Sequence, residues 1–202
     1  GGGLCLIEET CQNMVRMEDL EGVSKDDVIP LYAAKNMVIA NTVLKYTPSN
    51  SVAFSYRNMV LGVGAGQQNR VDCVKLAGNK FTNWLMRHHE NTIKYRNDLL
   101  MERTSDGKKK YKRQTVINKV YDFVSDVTNF TDRDDYLNST RAGVSVASDG
   151  FFPFPDGVET AGRYNAKYVI QPGGSIGDPA VIEAAHGLGM TMVMTGKRMF
   201  FH

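Results

Sequence analysis

The stretch YVIQPGGSIGDPAVIEAAHGLGMTMVM, residues 168–194, decides the fold class. It starts with an apolar run over 168–170, continues through a glycine-rich turn and a helical segment, and ends with a second apolar run over 190–194. Val144 and Val146 mark a further strand upstream, which is followed by a loop and a short helix. Strands that alternate with helices predict an α/β domain with parallel strand pairing and right-handed crossovers.

The segment before residue 50 predicts one helix that ends at about Tyr46, where Pro48 follows. Apolar residues recur at helical spacing after Pro30. Ser24 with Asp27 has the form of a capping box, which indicates a helix start. Pro30 therefore either kinks this helix or restarts it.

A β-hairpin is predicted next, because residues 52–56 alternate in polarity and a second strand-like run, 59–64, follows Arg57 and Asn58. The glycine-rich segment 62–68 then leads as a loop into an amphipathic helix. Residues 87–140 are polar, with one helix predicted over 115–127.

The composition excludes several classes of protein. Of 202 residues, 24 are Lys or Arg and 22 are Asp or Glu, so the net charge is +2 and a dedicated nucleic-acid binder is disfavoured. No apolar run approaches the ~20 residues that span a bilayer, and no secretory signal opens the chain. We therefore expect a one-domain cytoplasmic protein with no nucleic-acid or membrane partner, whose cysteines Cys5, Cys11 and Cys73 are reduced. Zinc-type spacing is absent from the sequence, so no metal site is expected.

Two glycine-rich segments are candidate ligand loops. Segment 62–68 offers backbone N–H groups to an anion, and a tight turn is an equal alternative. In segment 172–179, Asp178 is predicted to cap a helix that begins at Pro179, behind glycines that allow close approach to backbone amides. From spacing alone, a plain strand-to-helix turn is favoured for this second segment.

Three further features have competing interpretations. Segment FFPFPD, residues 151–156, is either a stacking platform for a planar ring or a buried aromatic corner. The basic run 108–113 attracts phosphates or, more simply, is a solvated loop. His88 and His89 are interpreted as cations at a helix end rather than as metal ligands.

Six motifs together resemble the family of AICAR transformylases, the bifunctional purine-biosynthesis proteins that also carry an IMP cyclohydrolase domain. The motifs are LKYTPSNSV (44–52), GAGQQNR (64–70), LAG (76–78), SDGFFPF (148–154), IQPGGSI (170–176) and RMFFH (198–202). The resemblance covers nearly all of the chain except a divergent connecting region, 87–140. It implies that residues 1–202 correspond to the C-terminal half of the transformylase domain.

The resemblance implies a cytidine-deaminase-like, three-layer α/β/α fold, of which this chain is the second subdomain. It also implies formyl transfer from the co-substrate 10-formyltetrahydrofolate to AICAR, giving formyl-AICAR and tetrahydrofolate, in a homodimeric protein. The family's catalytic Lys-His pair and cyclohydrolase domain have no counterpart in this sequence, so no catalytic residue is assigned here. The alternative is a non-catalytic ribotide- or folate-binding module derived from the family, and a nucleic-acid protein that uses 108–113 is a remote third possibility.

Residue by residue, the resemblance assigns one set of side chains to AICAR and another to the folate. The AICAR set is Asn50, Arg70, Phe151, Arg198 and the terminal His202, and the folate set is Val71, Asp156, Ser175 and Ile176. Arg198 suits a phosphate because its guanidinium is always charged and donates two parallel hydrogen bonds. Pro155 departs from the family, which usually has Arg before the aspartate.

Overall fold

The computed structural model of the protein describes residues 14–24 and 27–199, and within them five strands form one mixed sheet. The strands are β1 (Ser51–Tyr56), β2 (Met59–Ala65), β3 (Ser145–Ser148), β4 (Tyr168–Gln171) and β5 (Thr191–Met194). Their order in the sheet is β2-β1-β3-β4-β5. The last three strands run parallel, with Val146 paired to Val169 and Val169 to Met192. β1 is antiparallel to both of its neighbours, so the predicted parallel core is confirmed and the hairpin is added at its edge.

The helices of the described residues cover both faces of this sheet. They are α1 (Leu31–Leu44), α2 (Arg70–Met86), α3 (Glu90–Met101), α4 (Arg113–Ser125), α5 (Arg133–Asn138), α6 (Asp156–Arg163) and α7 (Asp178–Gly187). α1 packs on one face, where Met37 and Leu44 are buried with Ala53 and Ile170. α2, α6 and α7 pack on the other face, around a core that includes Phe54.

Alternation along each strand sends neighbouring residues to opposite faces. In β1, Phe54 faces the core under α2 whereas Ala53 faces the core under α1. In β4, Val169 and Ile170 divide in the same way. The result is an α/β arrangement with three layers, helix, sheet and helix, as predicted.

The helix near the N-terminus starts later than the capping-box pattern suggested. Residues 27–30 are not helical, and Pro30 immediately precedes the first residue of α1, so the restart at Pro30 is confirmed and the start at Ser24 is wrong. The carboxylate of Asp27 accepts a hydrogen bond from the Ser24 N–H at 3.0 Å, and the Ser24 carbonyl accepts one from Asp27 N–H at 3.1 Å. These bonds join residues 24 and 27, and no described helical residue follows before Leu31.

The glycines of segment 62–68 serve a different purpose from the one predicted. Gly62 and Gly64 belong to β2. A Cβ atom on Gly62 would lie 2.0 Å from the Ala77 carbonyl oxygen, and one on Gly64 would lie 2.1 Å from the Cys73 carbonyl oxygen. They therefore allow α2 to lie against β2 at a distance that no side chain permits. The predicted strand over 59–64 is confirmed, and the ligand-loop interpretation is wrong for Gly62 and Gly64, because these two positions are inside β2.

The polar region 87–140 contains three helices rather than the single one predicted. The predicted helix 115–127 corresponds to α4, whereas α3 and α5 were not predicted. A small separate core holds this region together, built from Met86, Leu99, Val116, Val120, Val124 and Phe130. The basic run 108–113 is exposed apart from Tyr111, and Lys108 and Lys110 are paired with Asp106 and Glu102 at 2.8 and 2.7 Å. No helix in the described part of the chain is long and apolar enough to cross a membrane.

The two adjacent histidines have separate structural roles. His88 lies just after α2, with its Nδ1 atom 2.9 Å from the Trp84 carbonyl oxygen, as expected for a histidine at a helix end. His89 is buried and caps the start of α3, where its Nδ1 accepts the Asn91 N–H at 3.2 Å. Because Nδ1 accepts, Nε2 carries the proton and donates to Asp132 at 3.1 Å. His89 therefore acts as the cap at the start of α3, a role that the sequence did not predict.

Candidate ligand cleft

The candidate site lies at the edge of the sheet where the parallel strands end. β3, β4 and β5 finish there, and β1 starts there because it is antiparallel to β3, with Val52 opposite Ser148. Chain segments that are far apart in sequence therefore meet at this edge, including the residues just before β1 and those just after β5. Ligands of open α/β sheets bind in the crevice at this end of the strands.

Four of the five residues assigned to AICAR line one cavity of about 430 Å³ at this edge. They are Asn50, Arg70, Phe151 and Arg198, joined by neighbours from the loops 68–69, 150 and 153. The fifth, His202, lies outside the described residues. Residues 50, 70, 151 and 198 are thus brought together although 148 positions separate the first from the last.

Arg70 is held at the floor of this cavity by a buried acid. Its guanidinium is ion-paired with the carboxylate of Asp149, donates to the Asn50 Oδ1 atom at 3.0 Å and contacts the Ser51 carbonyl at 3.3 Å. The Arg70 side chain is only 10% exposed, and Asp149 is completely buried. The Ser49 hydroxyl also donates to Asp149. Arg70 therefore has a fixed direction with its charge partly balanced from below.

Asn50 uses most of its hydrogen-bonding capacity within the protein. Its Nδ2 amide donates to the carbonyls of Gln67 and Gln68 at 3.1 and 3.4 Å, while its Oδ1 accepts from Arg70. An amide oxygen accepts two hydrogen bonds, so one acceptor position remains for a ligand. The geometry therefore favours an acceptor role for Asn50 toward a ligand.

The aromatic loop divides its side chains between the core and the surface, so the buried-corner interpretation is confirmed for Phe152 alone. Phe152 is completely buried in the main core, and its N–H donates to the Gln171 Oε1 atom at 2.7 Å, so it is the buried corner. Phe151 is half-buried and lines the cavity, with the Arg198 guanidinium carbon 5.6 Å from its ring centroid. Phe154 is exposed and lines a neighbouring cavity.

That neighbouring cavity, also about 430 Å³, adjoins the first and shares Asn69, Arg70 and Pro153 with it. Two of the four residues assigned to the folate, Val71 and Asp156, line it. Asp156 is exposed at the first residue of α6, directly after Pro155. Because Arg70 and Val71 are consecutive at the start of α2, their side chains diverge by about a hundred degrees into the two cavities.

The other two residues assigned to the folate, Ser175 and Ile176, line neither cavity. They lie in the loop between β4 and α7, where Ile176 is fully exposed. This loop approaches the aromatic loop at Gly177, whose added Cβ would be 2.5 Å from the Pro153 carbonyl oxygen. Ser175 and Ile176 are therefore near the second cavity without forming its wall.

Asp178 behaves differently from the prediction for segment 172–179. It is the first residue of α7, and its carboxylate turns back to accept the N–H groups of Gly174 and Ser175 at 2.7 and 3.1 Å. The prediction that Asp178 caps the helix is wrong, because these loop amides are its partners. The same amides are thus occupied by the protein itself, which favours the plain turn.

Asp149 and Cys73 are functional-site neighbours that sequence reasoning did not single out. An acidic residue directly after a buried strand is a signal that could have identified Asp149, since such a position falls at the ligand edge of an α/β sheet. Cys73 is buried beneath the cleft, where its Sγ donates to the Asn50 carbonyl at 3.0 Å. Burial raises the pKa of the Cys73 thiol, so it remains protonated and unreactive. Within residues 14–24 and 27–199, no group of three or more His, Cys, Asp or Glu is arranged to hold a metal ion.

Comparison with models of known protein families gives a match over the first part of the chain. The model of the AICARFT/IMPCHase bienzyme family matches residues 1–80. This is the family that the sequence motifs predicted. The AICARFT/IMPCHase bienzyme family combines transformylase and cyclohydrolase activities in purine biosynthesis. Its match to this chain includes Asn50, Arg70 and Val71, and the remaining assigned residues lie beyond residue 80.

Proposed function

We propose that this chain supplies the C-terminal ligand-binding part of an AICAR transformylase, phosphoribosylaminoimidazolecarboxamide formyltransferase. The reaction moves the formyl group of 10-formyltetrahydrofolate to the amine of AICAR. The observation that carries the proposal is the pair of adjoining cavities that share Arg70, one lined by residues assigned to AICAR and the other by residues assigned to the folate. A formyl transfer between two ligands requires two such neighbouring sites.

In the first cavity, the chemistry of the side chains suits a ribotide. Arg198 at the rim is assigned to the phosphate, because a guanidinium matches phosphate oxygens with paired N–H donors. Phe151 offers an aromatic face to the imidazole ring. The remaining acceptor position of Asn50 suits an N–H of the AICAR amine or carboxamide. Arg70, fixed by Asp149, adds positive charge at the floor.

In the second cavity, Asp156 is assigned to the N–H donors of the pterin ring, and Val71 to its apolar face. Ser175 and Ile176 are proposed to contact the folate from the loop beside this cavity, because an exposed Ile176 has apolar surface that a ligand can cover. Lys75 and the exposed ring of Phe154 complete the wall.

During transfer, the AICAR amine nitrogen forms a bond to the formyl carbon, and the bond from that carbon to N10 of the folate breaks. The amine loses one proton and N10 gains one. The residues of this chain bind and orient the two ligands, and His202 is proposed as a secondary group that handles protons. The 202 residues contain no adjacent Lys-His pair, so the principal proton transfer is assigned to the remaining part of the enzyme. That part is the chain's proposed partner, together with a second copy in a cytoplasmic homodimer.

A non-catalytic ribotide- or folate-binding module is the second candidate, because the same cavities would bind ligands without turnover. The natural reading frame upstream of Gly1 distinguishes the two. A Lys-His pair and a cyclohydrolase domain encoded there support the enzyme, whereas a start codon supports the module.

The direct test combines this chain with a polypeptide that carries the family's Lys-His half. Calorimetry measures binding of AICAR and of a reduced folate, and a spectrophotometric assay follows tetrahydrofolate formation. We expect weak ligand binding by the chain alone and formyl transfer by the combined protein. Failure of the combined protein to bind AICAR contradicts the proposed function, and binding of both ligands without transfer favours the module.

A further inference from the structure

A separate polar cavity, of about 550 Å³, lies among α2, α5 and the end of α6. Arg133 and Arg163 bring two guanidinium groups to its wall, and Asp134 brings one carboxylate. Four of the other lining residues are asparagines. A wall with this composition is built to hydrogen-bond a charged, hydrophilic molecule.

The arginines of this cavity have donors that the protein does not use. The Nε atom of Arg133 is buried and has no hydrogen-bond partner among the described residues. Among the described residues, no acid lies within salt-bridge distance of Arg133 or Arg163, although Asp134 lines the same cavity. Both guanidinium groups therefore keep their positive charge without an ion-paired carboxylate from the described residues, which favours an anionic ligand in this cavity.

Hydrogen bonds hold the part of the wall that comes from the end of α6. The Tyr164 hydroxyl donates to the Asn79 Oδ1 atom at 2.9 Å, which joins the end of α6 to α2. The turn after α6 is closed by bonds from Asn165 N–H to the Gly162 carbonyl at 3.0 Å and from Ala166 N–H to the Ala161 carbonyl at 3.2 Å. A wall fixed in this way does not have to be ordered by its ligand, which favours binding.

The cavity lies far from the ligand cleft along the same two helices. α2 begins at Arg70 in the cleft and reaches the polar cavity at Asn79. Nine residues of helix span roughly 13 Å at 1.5 Å per residue. α6 likewise begins at Asp156 beside the cleft and ends at Arg163 in the polar cavity. One ligand of ordinary size therefore does not occupy both places.

We propose that this cavity binds a small phosphorylated sugar or polyol. The two guanidinium groups match the phosphate, because arginine donates paired hydrogen bonds to phosphate oxygens. The carboxylate of Asp134 repels a phosphate group but accepts hydrogen bonds from hydroxyl groups. It therefore favours a ligand that carries hydroxyl groups beside its phosphate over inorganic phosphate alone. Most of the lining is polar, and Leu137 and Tyr164 are its two large apolar side chains, so the wall favours a ligand rich in hydrogen-bonding groups.

The test uses ribose 5-phosphate, inorganic phosphate and ribose as probes in amide-resolved NMR titrations of the chain. We expect ribose 5-phosphate to shift amides at 79–83, 133–138 and 163–165, and ribose to bind much more weakly. Shifts confined to residues 64–71 and 149–151 overturn the proposal, because they place the probe in the cleft alone. Shifts at 79–83, 133–138 and 163–165 do not depend on whether the cleft binds AICAR, so this proposal and the AICAR assignment are tested separately.

Two variants and a control distinguish the roles of the side chains. Arg163→Met, at an exposed position, is expected to weaken binding of ribose 5-phosphate by about tenfold or more, as loss of a charged hydrogen bond does. Asp134→Asn is expected to weaken ribose 5-phosphate without weakening inorganic phosphate. Arg103→Met is the matched control, because Arg103 is exposed and donates only to nearby backbone carbonyls. Equal affinities in Arg163→Met and Arg103→Met overturn the phosphate assignment, and tighter inorganic phosphate than ribose 5-phosphate in the wild type overturns the sugar assignment.

Discussion

The guanidinium of Arg70 is ion-paired with the carboxylate of Asp149, and the pair joins the start of α2 to the end of β3. Removing two charges from water costs several kcal/mol per ion. The attraction between the charges offsets this cost only if the pair is close and its other hydrogen bonds are satisfied. Here Ser49 and Asn50 supply those bonds. The direction of Arg70 at the floor of the cleft is therefore set by a side chain that no ligand reaches.

Replacing the buried acid tests this relationship. Asp149→Ala is expected to lower the free energy of unfolding by about 3–5 kcal/mol, because it leaves the nearly buried Arg70 without its counter-charge. Urea denaturation measures the change. The control is Asp156→Ala, which removes an exposed acid from the first turn of α6 and should cost no more than about 1 kcal/mol. Equal losses in the two variants would show that the Arg70–Asp149 pair adds nothing to stability.

The close contact between β2 and α2 gives a second prediction. Gly64→Ala places a Cβ atom 2.1 Å from the Cys73 carbonyl oxygen, which is backbone and moves only if α2 moves. We expect a loss of about 3 kcal/mol in the free energy of unfolding, the upper end of the usual cost of overpacking, because the atom that the new Cβ meets is backbone. Gly187→Ala is the control, because its Cβ meets no atom within 4 Å and it lies in α7. That variant should retain or slightly raise stability. If the free energy of unfolding of Gly64→Ala equals that of the wild type, α2 is free to shift.

A third prediction concerns alkaline pH. Burial, together with the hydrogen bond between the Tyr168 and Tyr32 hydroxyls at 3.1 Å, raises the pKa of Tyr168 above its ordinary value of 10.0. The folded protein then keeps this proton where the unfolded chain loses it, so the contribution is complete below pH 10 and is lost as the pH rises further.

Tyr168→Phe should therefore reduce the slope of stability against pH above pH 10, while costing about 1 kcal/mol at pH 7 through loss of the Tyr32 bond. Denaturation curves between pH 8 and pH 11 measure both effects. Tyr46→Phe changes an exposed tyrosine and should leave the slope as in the wild type. Indistinguishable slopes in all three proteins contradict the assignment of this pH dependence to Tyr168.

Local patterns predicted the elements that carry strong local signals. The hairpin was predicted because Arg57 and Asn58 stand between two apolar runs, and both adopt positive φ, 50° and 60°, as a tight hairpin turn requires. α2 and the strand-helix-strand order after residue 144 were predicted for the same kind of reason. α3 was not, because Thr92 and Leu99 are its only buried residues, and packing against α4 rather than its own periodicity stabilises it.

The site was only partly predictable from motifs, because its geometry depends on contacts that no local pattern encodes. Asp149 becomes a partner of Arg70 only after β1 and β3 pair, across 79 positions of sequence. Gly64 belongs to segment 62–68, for which a ligand loop and a tight turn are equal alternatives by pattern, whereas in the structure its role is set by the approach of α2. Asp178 was interpreted as a helix cap because its position fits one, and the fold instead turns its carboxylate toward Gly174 and Ser175.

The last prediction separates the two cavities and rests on the proposed function. Arg198 lines the first cavity beside Phe151, and Asp156 lines the second, so each variant should impair one ligand. In the combined enzyme, Arg198→Ala is expected to weaken AICAR by about 2–3 kcal/mol, near the lower end of values for charged pairs because Arg198 is exposed. Asp156→Ala is expected to weaken the folate by roughly 1.5–3 kcal/mol, the value of a charged hydrogen bond.

Calorimetric titration of each ligand against each variant measures four affinities, and the assignment requires a crossed pattern. Arg198→Lys serves as the matched control, since it keeps the charge and loses the paired donors, and it should fall between the wild type and Arg198→Ala. Weakening of AICAR by Asp156→Ala as strong as that of the folate would mean that this residue acts through the start of α6 rather than by touching a ligand. The two cavities share Arg70, so Arg70→Met is the one variant expected to impair both ligands. It removes a direct contact with the ribotide, and it weakens the folate by changing the wall between the cavities.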